Sequence, residues 1–169
     1  MIRGLIFDLD MTLIDTSSLY QLRAQSKWNS IYTKLNYTKI FNGISNLLAL
    51  AKTNYQLGVV TTSPRKYAEK MIQHHQLDIP VLSGYHDTIK HKPHPEPILN
   101  GVHQLRLSPD SVVHIGDEIS DLLAAKAAKC LPVAVTWGLG DKQDLKQHSP
   151  DFLAENVNQL KQYLKLVEQ

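Results

Sequence analysis

"GLIFDLDMTLIDTS", residues 4–17, decides how the rest of the chain is read. A short apolar run ends abruptly on two aspartates, Asp8 and Asp10, with Thr12 two positions further on. Two carboxylates at the end of a buried strand repel each other, and burying unused charge destabilises a fold. The stretch therefore implies a strand that delivers charge to a site.

Four further apolar runs look like buried strands: "QLGVVTT" (56–62), "PVLSG" (80–84), "SVVHIG" (111–116) and "PVAVTW" (132–137). Runs apolar on both faces suit a parallel sheet covered on each side. Between them lie helical patterns. "GISNLLALAKTN" (43–54) places Ile44, Leu47, Leu48 and Ala51 on one face. "SPRKYAEKMIQHH" (63–75) opens with Ser63 as an N-cap and Pro64 at the first helical position. "PEPILNGVHQLR" (95–106) and "EISDLLAAKAAKC" (118–130) follow, and the tail from Pro150 to Gln169 reads as a turn and a C-terminal helix. The alternation predicts a doubly wound α/β fold, with a mainly parallel, five-stranded Rossmann-like sheet and helices on both faces. The chain reads as one domain, 1–169, with a polar, aromatic-dotted insert at about 15–42 that holds one or two short helices.

Bulk composition excludes several classes. The 169 residues are 43% hydrophobic and 20% charged, with a formal charge of +2, too balanced to imply a nucleic-acid partner. One cysteine, Cys130, rules out an intramolecular disulfide and a cysteine-rich metal site. No apolar run reaches the ~18 residues of a membrane span, and the N-terminal run is too short for a signal-peptide core. The expectation is a soluble, cytoplasmic protein.

In an open α/β sheet, ligands bind beyond the carboxyl ends of the strands. Those ends carry Asp8, Asp10 and Thr12, then Thr61, Thr62 and Ser63, then Asp117, Glu118 and Asp121, while Lys92 lies in the loop after the third strand. Asp8, Asp10 and Asp117 together call for a cation, and oxygen-only ligands suit a hard one, Mg²⁺. Thr61, Thr62 and Lys92 can then hold a phosphate. Asp8 is placed to act as nucleophile on phosphorus and Asp10 as general acid and base, with its backbone carbonyl turned to the metal.

These elements resemble the motifs of the haloacid dehalogenase (HAD) superfamily, especially its phosphoglycolate-phosphatase-like branch. "DLDMT" is similar to the first motif, "VVTTSP" to the second, "HKPHPEP" to the third and "IGDEISD" to the fourth. The resemblance covers residues 2 to about 140 and implies a Mg²⁺-dependent phosphatase. It implies that Asp117 ligates the metal and that Asp121 supports the metal's waters and Lys92. Two departures stand out. Met11 occupies a position where glycine is usual, and the segment of about 28 residues at 15–42 is short for a helical cap. A truncated or missing cap leaves the site open, to be covered by a larger phosphorylated substrate or by a second subunit of a homo-oligomer; a phosphorylated small molecule also fits.

Other chemistries on similar folds fit the sequence less well. A dehalogenase needs neither Asp10 nor the magnesium cluster, and a phosphomutase needs a cap to retain its intermediate. A response-regulator receiver domain carries its phospho-accepting aspartate on the third strand. A catalytically silent binding protein of the same fold has no use for the buried acids. Outside the motifs, Glu118 reads as a helix-terminal acid, His114 as a core histidine, and His74 and His75 as dipole partners. Trp28 and Tyr32 read as a packed helix face; His91 and His94 flank Lys92, and a structural role outweighs contact with substrate for both.

Overall fold

The structure is a computed structural model, and it describes residues 1–166. Strands and helices follow in the order β1 (Gly4–Phe7), β2 (Ile14–Asp15), α1 (Tyr20–Ala24), α2 (Trp28–Tyr32), β3 (Lys39–Ile40), α3 (Ile44–Ala51), β4 (Gln56–Val60) and α4 (Arg65–His74). They continue with β5 (Val81–Ser83), α5 (Glu96–Gln104), β6 (Val112–Gly116), α6 (Ile119–Ala127), β7 (Leu131–Val135), α7 (Lys142–Gln147), β8 (Phe152–Ala154) and α8 (Val157–Tyr163). The central sheet has the order β5-β4-β1-β6-β7-β8, and all its pairs are parallel.

β1 lies inside the sheet because its residues are buried on both faces. Leu5 and Phe7 pack with the apolar sides of α3, α4 and α8. Ile6 points the other way, against Ile98 and Val102 of α5 and Ala124 and Ala125 of α6. This alternation is the period of two expected of a strand covered on each side. Both neighbours of β1 run parallel to it, so the chain leaves its carboxyl end at the point where the winding reverses.

Four expectations need correction. The sheet has six strands, not five: Phe152–Ala154 pairs with β7 inside the segment read as a turn before the last helix. That last helix ends at Tyr163, and the part of its expected span at residues 167–169 lies outside the described residues. Ser63 does not cap α4, which starts after Pro64, and its hydroxyl is used elsewhere. α4, α5 and α6 also stop short of the expected ends. Gln76, Arg106 and Lys129, just past them, adopt left-handed backbone with φ of 52°, 56° and 61°. This is the usual helix-terminating conformation, here without glycine.

The insert folds onto the core. β2 and β3 pair antiparallel at its base. Leu19 and Ile31 are fully buried beneath it. The Trp28 ring lies 5.6 Å from Tyr67 of α4, and Lys66 and Lys70 sit over Tyr32 at 5.7 and 5.3 Å. Trp28 and Tyr32 therefore face the core, as their spacing predicts. None of the helices among the described residues is long and apolar enough to cross a membrane.

Candidate active site

The carboxyl ends of β1, β4 and β6 converge on one cleft of about 620 Å³. Asp8, Asp10, Thr61, Thr62 and Asp117 line it from the core, and Tyr20, Arg23 and Trp28 line it from the insert. Each acid is held by its own set of partners.

Lys92 is the hub. Its side chain is 3% exposed, and its Nζ donates to Asp8 Oδ1 at 2.6 Å, to Asp121 Oδ1 at 2.5 Å and to the Val60 carbonyl at 3.3 Å. Burial alone would lower its pKa, but Asp121 and Asp8 together hold it above the ordinary lysine value. Burial would raise Asp121, yet Lys92 first and His114 second keep it below the usual carboxylate range. Asp121 Oδ2 also accepts from the Glu118 backbone N–H at 3.0 Å, which ties the start of α6 to the site. His114, fully buried in β6, lies 3.3 Å from Asp121 Oδ1, so the core histidine backs the acidic cluster.

Burial pushes Asp8 well above the usual carboxylate range, against the pull of Lys92 and with the help of Asp121 and Asp117. Asp117 is pushed up to about 6, chiefly by burial. Its Oδ1 accepts from Thr12 Oγ1 at 2.7 Å and its Oδ2 from the Leu139 N–H at 2.8 Å. The loop after β7 comes this close because Gly138 has no side chain. A Cβ there would stand 2.2 Å from Asp117 Oδ2.

Asp10 has entirely different company. Tyr67 Oη donates to its Oδ1 at 2.6 Å, and Ser63 Oγ donates to its Oδ2 at 2.7 Å. Arg23 Nη2 lies 2.9 Å from the same Oδ2. Asp8, Asp117 and Asp121 offer carboxylate oxygens within 4.8 Å of one another, and the Asp10 carboxylate is not among that set. A buried, oxygen-only donor set of this kind fits a hard divalent cation.

The structure thus brings together Asp8, Asp10, Thr61, Lys92, Asp117 and Asp121. Thr61 is buried at the cleft and accepts from the Ser63 N–H at 3.1 Å, while Thr62 is exposed at its mouth. His91 stacks on Tyr85 at 3.8 Å, and His94 Nδ1 accepts from the Glu96 N–H at 3.2 Å, so both have local structural partners. Sequence reasoning missed Arg23 and Tyr67 and gave Ser63 the wrong task. Met11 adopts φ +65°, a conformation that suits the glycine usual at this place.

The family model for haloacid dehalogenase-like hydrolases matches residues 21–135. This chain belongs to that family. It is 33% identical over 130 residues to the phosphoglycolate phosphatase of Escherichia coli K12, a match covering 73% of this chain and 50% of that protein. The chain thus spans about half the length of the phosphoglycolate phosphatases it matches. PpaX of Caldanaerobacter subterraneus, a pyrophosphatase by name, is 29% identical over 97% of this chain and 95% of its own. That alignment runs over 209 positions, so the relative carries residues without counterpart here. Among solved structures, a haloacid dehalogenase-like family protein from Streptococcus pneumoniae shares the fold at a TM-score of 0.82 and 22% identity, covering 96% of this chain and 98% of that one.

The raised Asp117 makes a checkable statement about pH. An unfolded aspartate titrates near ~3.9. A carboxyl whose folded value is higher takes up protons on folding, so its contribution to stability falls as pH rises through about 6. In metal-free protein, the stability of Asp117→Asn relative to wild type should shift in the variant's favour by on the order of 2 kcal/mol between about pH 4 and about pH 7. Urea titrations at the two pH values measure it, and a pH-independent difference would contradict the burial argument. Added Mg²⁺ should narrow the gap at neutral pH, since a cation favours the ionised carboxylate.

Proposed function

We propose that this chain is a phosphoric monoester hydrolase that works through an aspartyl-phosphate on Asp8. The observation that carries the reading is the division of partners at one strand end. Asp8 sits with Lys92 inside the acidic cluster, whereas Asp10, two residues on, is held by hydroxyls and a guanidinium at the cleft wall. The names of the relatives, phosphatases and a pyrophosphatase, support the same class.

Lys92 fixes Asp8 through Oδ1, so attack on phosphorus falls to Oδ2. As the Asp8–phosphorus bond forms, the bond to the leaving oxygen breaks, and Asp10 passes a proton to that oxygen to release an alcohol. In the second half, Asp10 takes a proton from water while the water oxygen attacks phosphorus. The bond to Asp8 then breaks and inorganic phosphate leaves. Thr61 and Thr62 hold the phosphoryl oxygens, and Lys92, whose Nζ donates to Asp8, Asp121 and the Val60 carbonyl, serves them as a nearby positive charge. Asp8, Asp117 and the backbone carbonyl of Asp10 would hold Mg²⁺, with Asp121 behind them. Bound there, the cation would supply charge neutralisation for the phosphoryl group.

On this reading residues 1–169 act as one cytoplasmic domain, and the insert at 15–42 is a residual lid. Tyr20, Arg23 and Trp28 give it a wall of the cleft, and the packing of Trp28 and Tyr32 on α4 fixes it in place. The substrate is a phosphorylated small molecule that fits between lid and core. Hydrolysis of p-nitrophenyl phosphate with and without Mg²⁺ tests the reading. Turnover that chelation removes and Mg²⁺ restores is the expected result. No turnover of this ester or of a phosphometabolite panel would overturn it.

A further inference from the structure

Asp117 is gripped on both of its carboxylate oxygens, and both grips trace to one loop. Residues 136–140 leave β7 and lie over the end of β6, where Asp117 stands. The Leu139 N–H donates to Asp117 Oδ2 at 2.8 Å. The loop also touches the backbone there, since a Cβ on Gly140 would stand 2.0 Å from the Asp117 carbonyl oxygen. Oδ1 accepts from Thr12 Oγ1 at 2.7 Å, in the turn after β1. That turn is tied back to the same loop: Trp137 Nε1 donates to the Thr12 carbonyl at 3.0 Å, across 125 residues of sequence.

The indole is itself held in place. The ring of Phe41, at the end of the insert, packs on it with centroids 6.5 Å apart. The Phe41 N–H donates to the Leu13 carbonyl at 3.1 Å, so consecutive carbonyls of the turn are anchored by the two aromatic residues. Anchoring its carbonyl fixes the Thr12 backbone, and a β-branched side chain has few rotamers left. The Thr12 hydroxyl is thereby aimed at Asp117. Thr12 and Asp117 are each 1% exposed, so water does not substitute readily for this contact. An ionised carboxylate with one donor on each oxygen still has acceptor positions to offer a cation.

We propose that Trp137 is a positioning residue of the cation site: by holding the turn at Thr12 it orients the Asp117 carboxylate that faces Asp8. The inference rests on the reading of Asp8 and Asp117 as Mg²⁺ ligands. Partners behind a ligating carboxylate fix its orientation, and losing one typically costs ~10–100-fold in metal affinity. Without the indole N–H the turn is freer, the hydroxyl is aimed less well, and binding must order the carboxylate.

The test measures Mg²⁺ binding to metal-free protein by isothermal titration calorimetry. Trp137→Phe keeps a ring against Phe41 and loses the N–H. Trp137 is only half-buried, so the fold should survive, and thermal melting checks that. This variant should bind Mg²⁺ about 10-fold more weakly. Thr12→Val keeps the shape of threonine without the hydroxyl and should lose about 10–100-fold, while Thr12→Ser should recover most of the affinity. Because Trp137 acts through Thr12, the double variant should bind within about 2-fold of Thr12→Val alone. Fully additive losses would overturn the proposal. So would a Trp137→Phe protein that melts lower but binds Mg²⁺ like wild type, which would reduce the indole to packing. Wild-type affinity in Thr12→Val would break the route through the hydroxyl and overturn the proposal without reference to the indole variant. If wild type binds Mg²⁺ and the variants bind it equally, only the Trp137 proposal fails. If wild type binds none, the cation-site reading fails with it.

Discussion

Asp8→Asn should lose at least about 10⁴-fold in kcat, the scale seen when a covalent nucleophile is removed. The amide has nearly the shape of the carboxylate but cannot form an acyl phosphate. The fold should survive the change. Burial already disfavours the charge on Asp8, and Lys92 keeps Asp121 as a partner at 2.5 Å. A neutral amide at this site is expected to cost less than the ~3–5 kcal/mol of a buried ion pair broken with its charge left uncompensated. Thermal melting checks that point, and p-nitrophenyl phosphate hydrolysis checks the first. Acid-quenched wild type should carry base-labile phosphate on the protein and the variant none. A folded variant with wild-type kcat would end the assignment of Asp8 as nucleophile.

How much of this could be read beforehand depends on where each residue sits. Asp8 and Asp117 stood out because a charged residue directly after an apolar strand has few structural reasons to be there, whereas Lys92, in the loop well past β5, is marked only by its place in "HKPHPEP". Their meeting point follows from parallel topology alone, since strand ends collect on one edge. β8 was hidden for the opposite reason. It is three residues long, its first two are only half-buried, and it borders the sheet, so it carries neither a long apolar run nor clean alternation. Tyr67 was hidden by its helix. A tyrosine at an inward helical position reads as packing, and it does pack, with only its hydroxyl reaching Asp10.

Arg23 and Ser63 were hidden by context of another kind. The insert has no periodicity strong enough to orient a side chain, and its two helices are five residues each. Only their anchors, Leu19, Ile31 and Trp28, turn Arg23 toward β1. Ser63 looked like a cap because Ser-Pro commonly opens a helix. Asp10, 53 residues away in sequence, takes the hydroxyl instead. Long-range polar pairs of this sort leave no local signature. They also show why the two aspartates of β1 are not equivalent: one is set by the core, the other partly by the insert.

Lys92→Met should cost about 3–5 kcal/mol at neutral pH, the range for removing one partner of a buried ion pair. For a chain of 169 residues that is a fall in Tm of about 10 °C. Methionine matches much of the lysine stem, so lost packing contributes little. What remains is Asp8 and Asp121 facing each other, buried, without a cation of the protein's own. The pH dependence separates this from a general packing defect. Asp121 is held below its ordinary value, so its contribution in wild type is present above about pH 4 and is lost as pH falls through the folded value. Without Lys92 the pair would bind a proton at higher pH, and the deficit of the variant should shrink as the solution is acidified from about pH 7 to about pH 5. Urea titrations at both values decide it. A deficit below about 1 kcal/mol, or one that ignores pH, would mean that Lys92 does not balance the two aspartates. Saturating Mg²⁺ should recover part of the lost stability, because a divalent cation supplies the positive charge that the methionine removed.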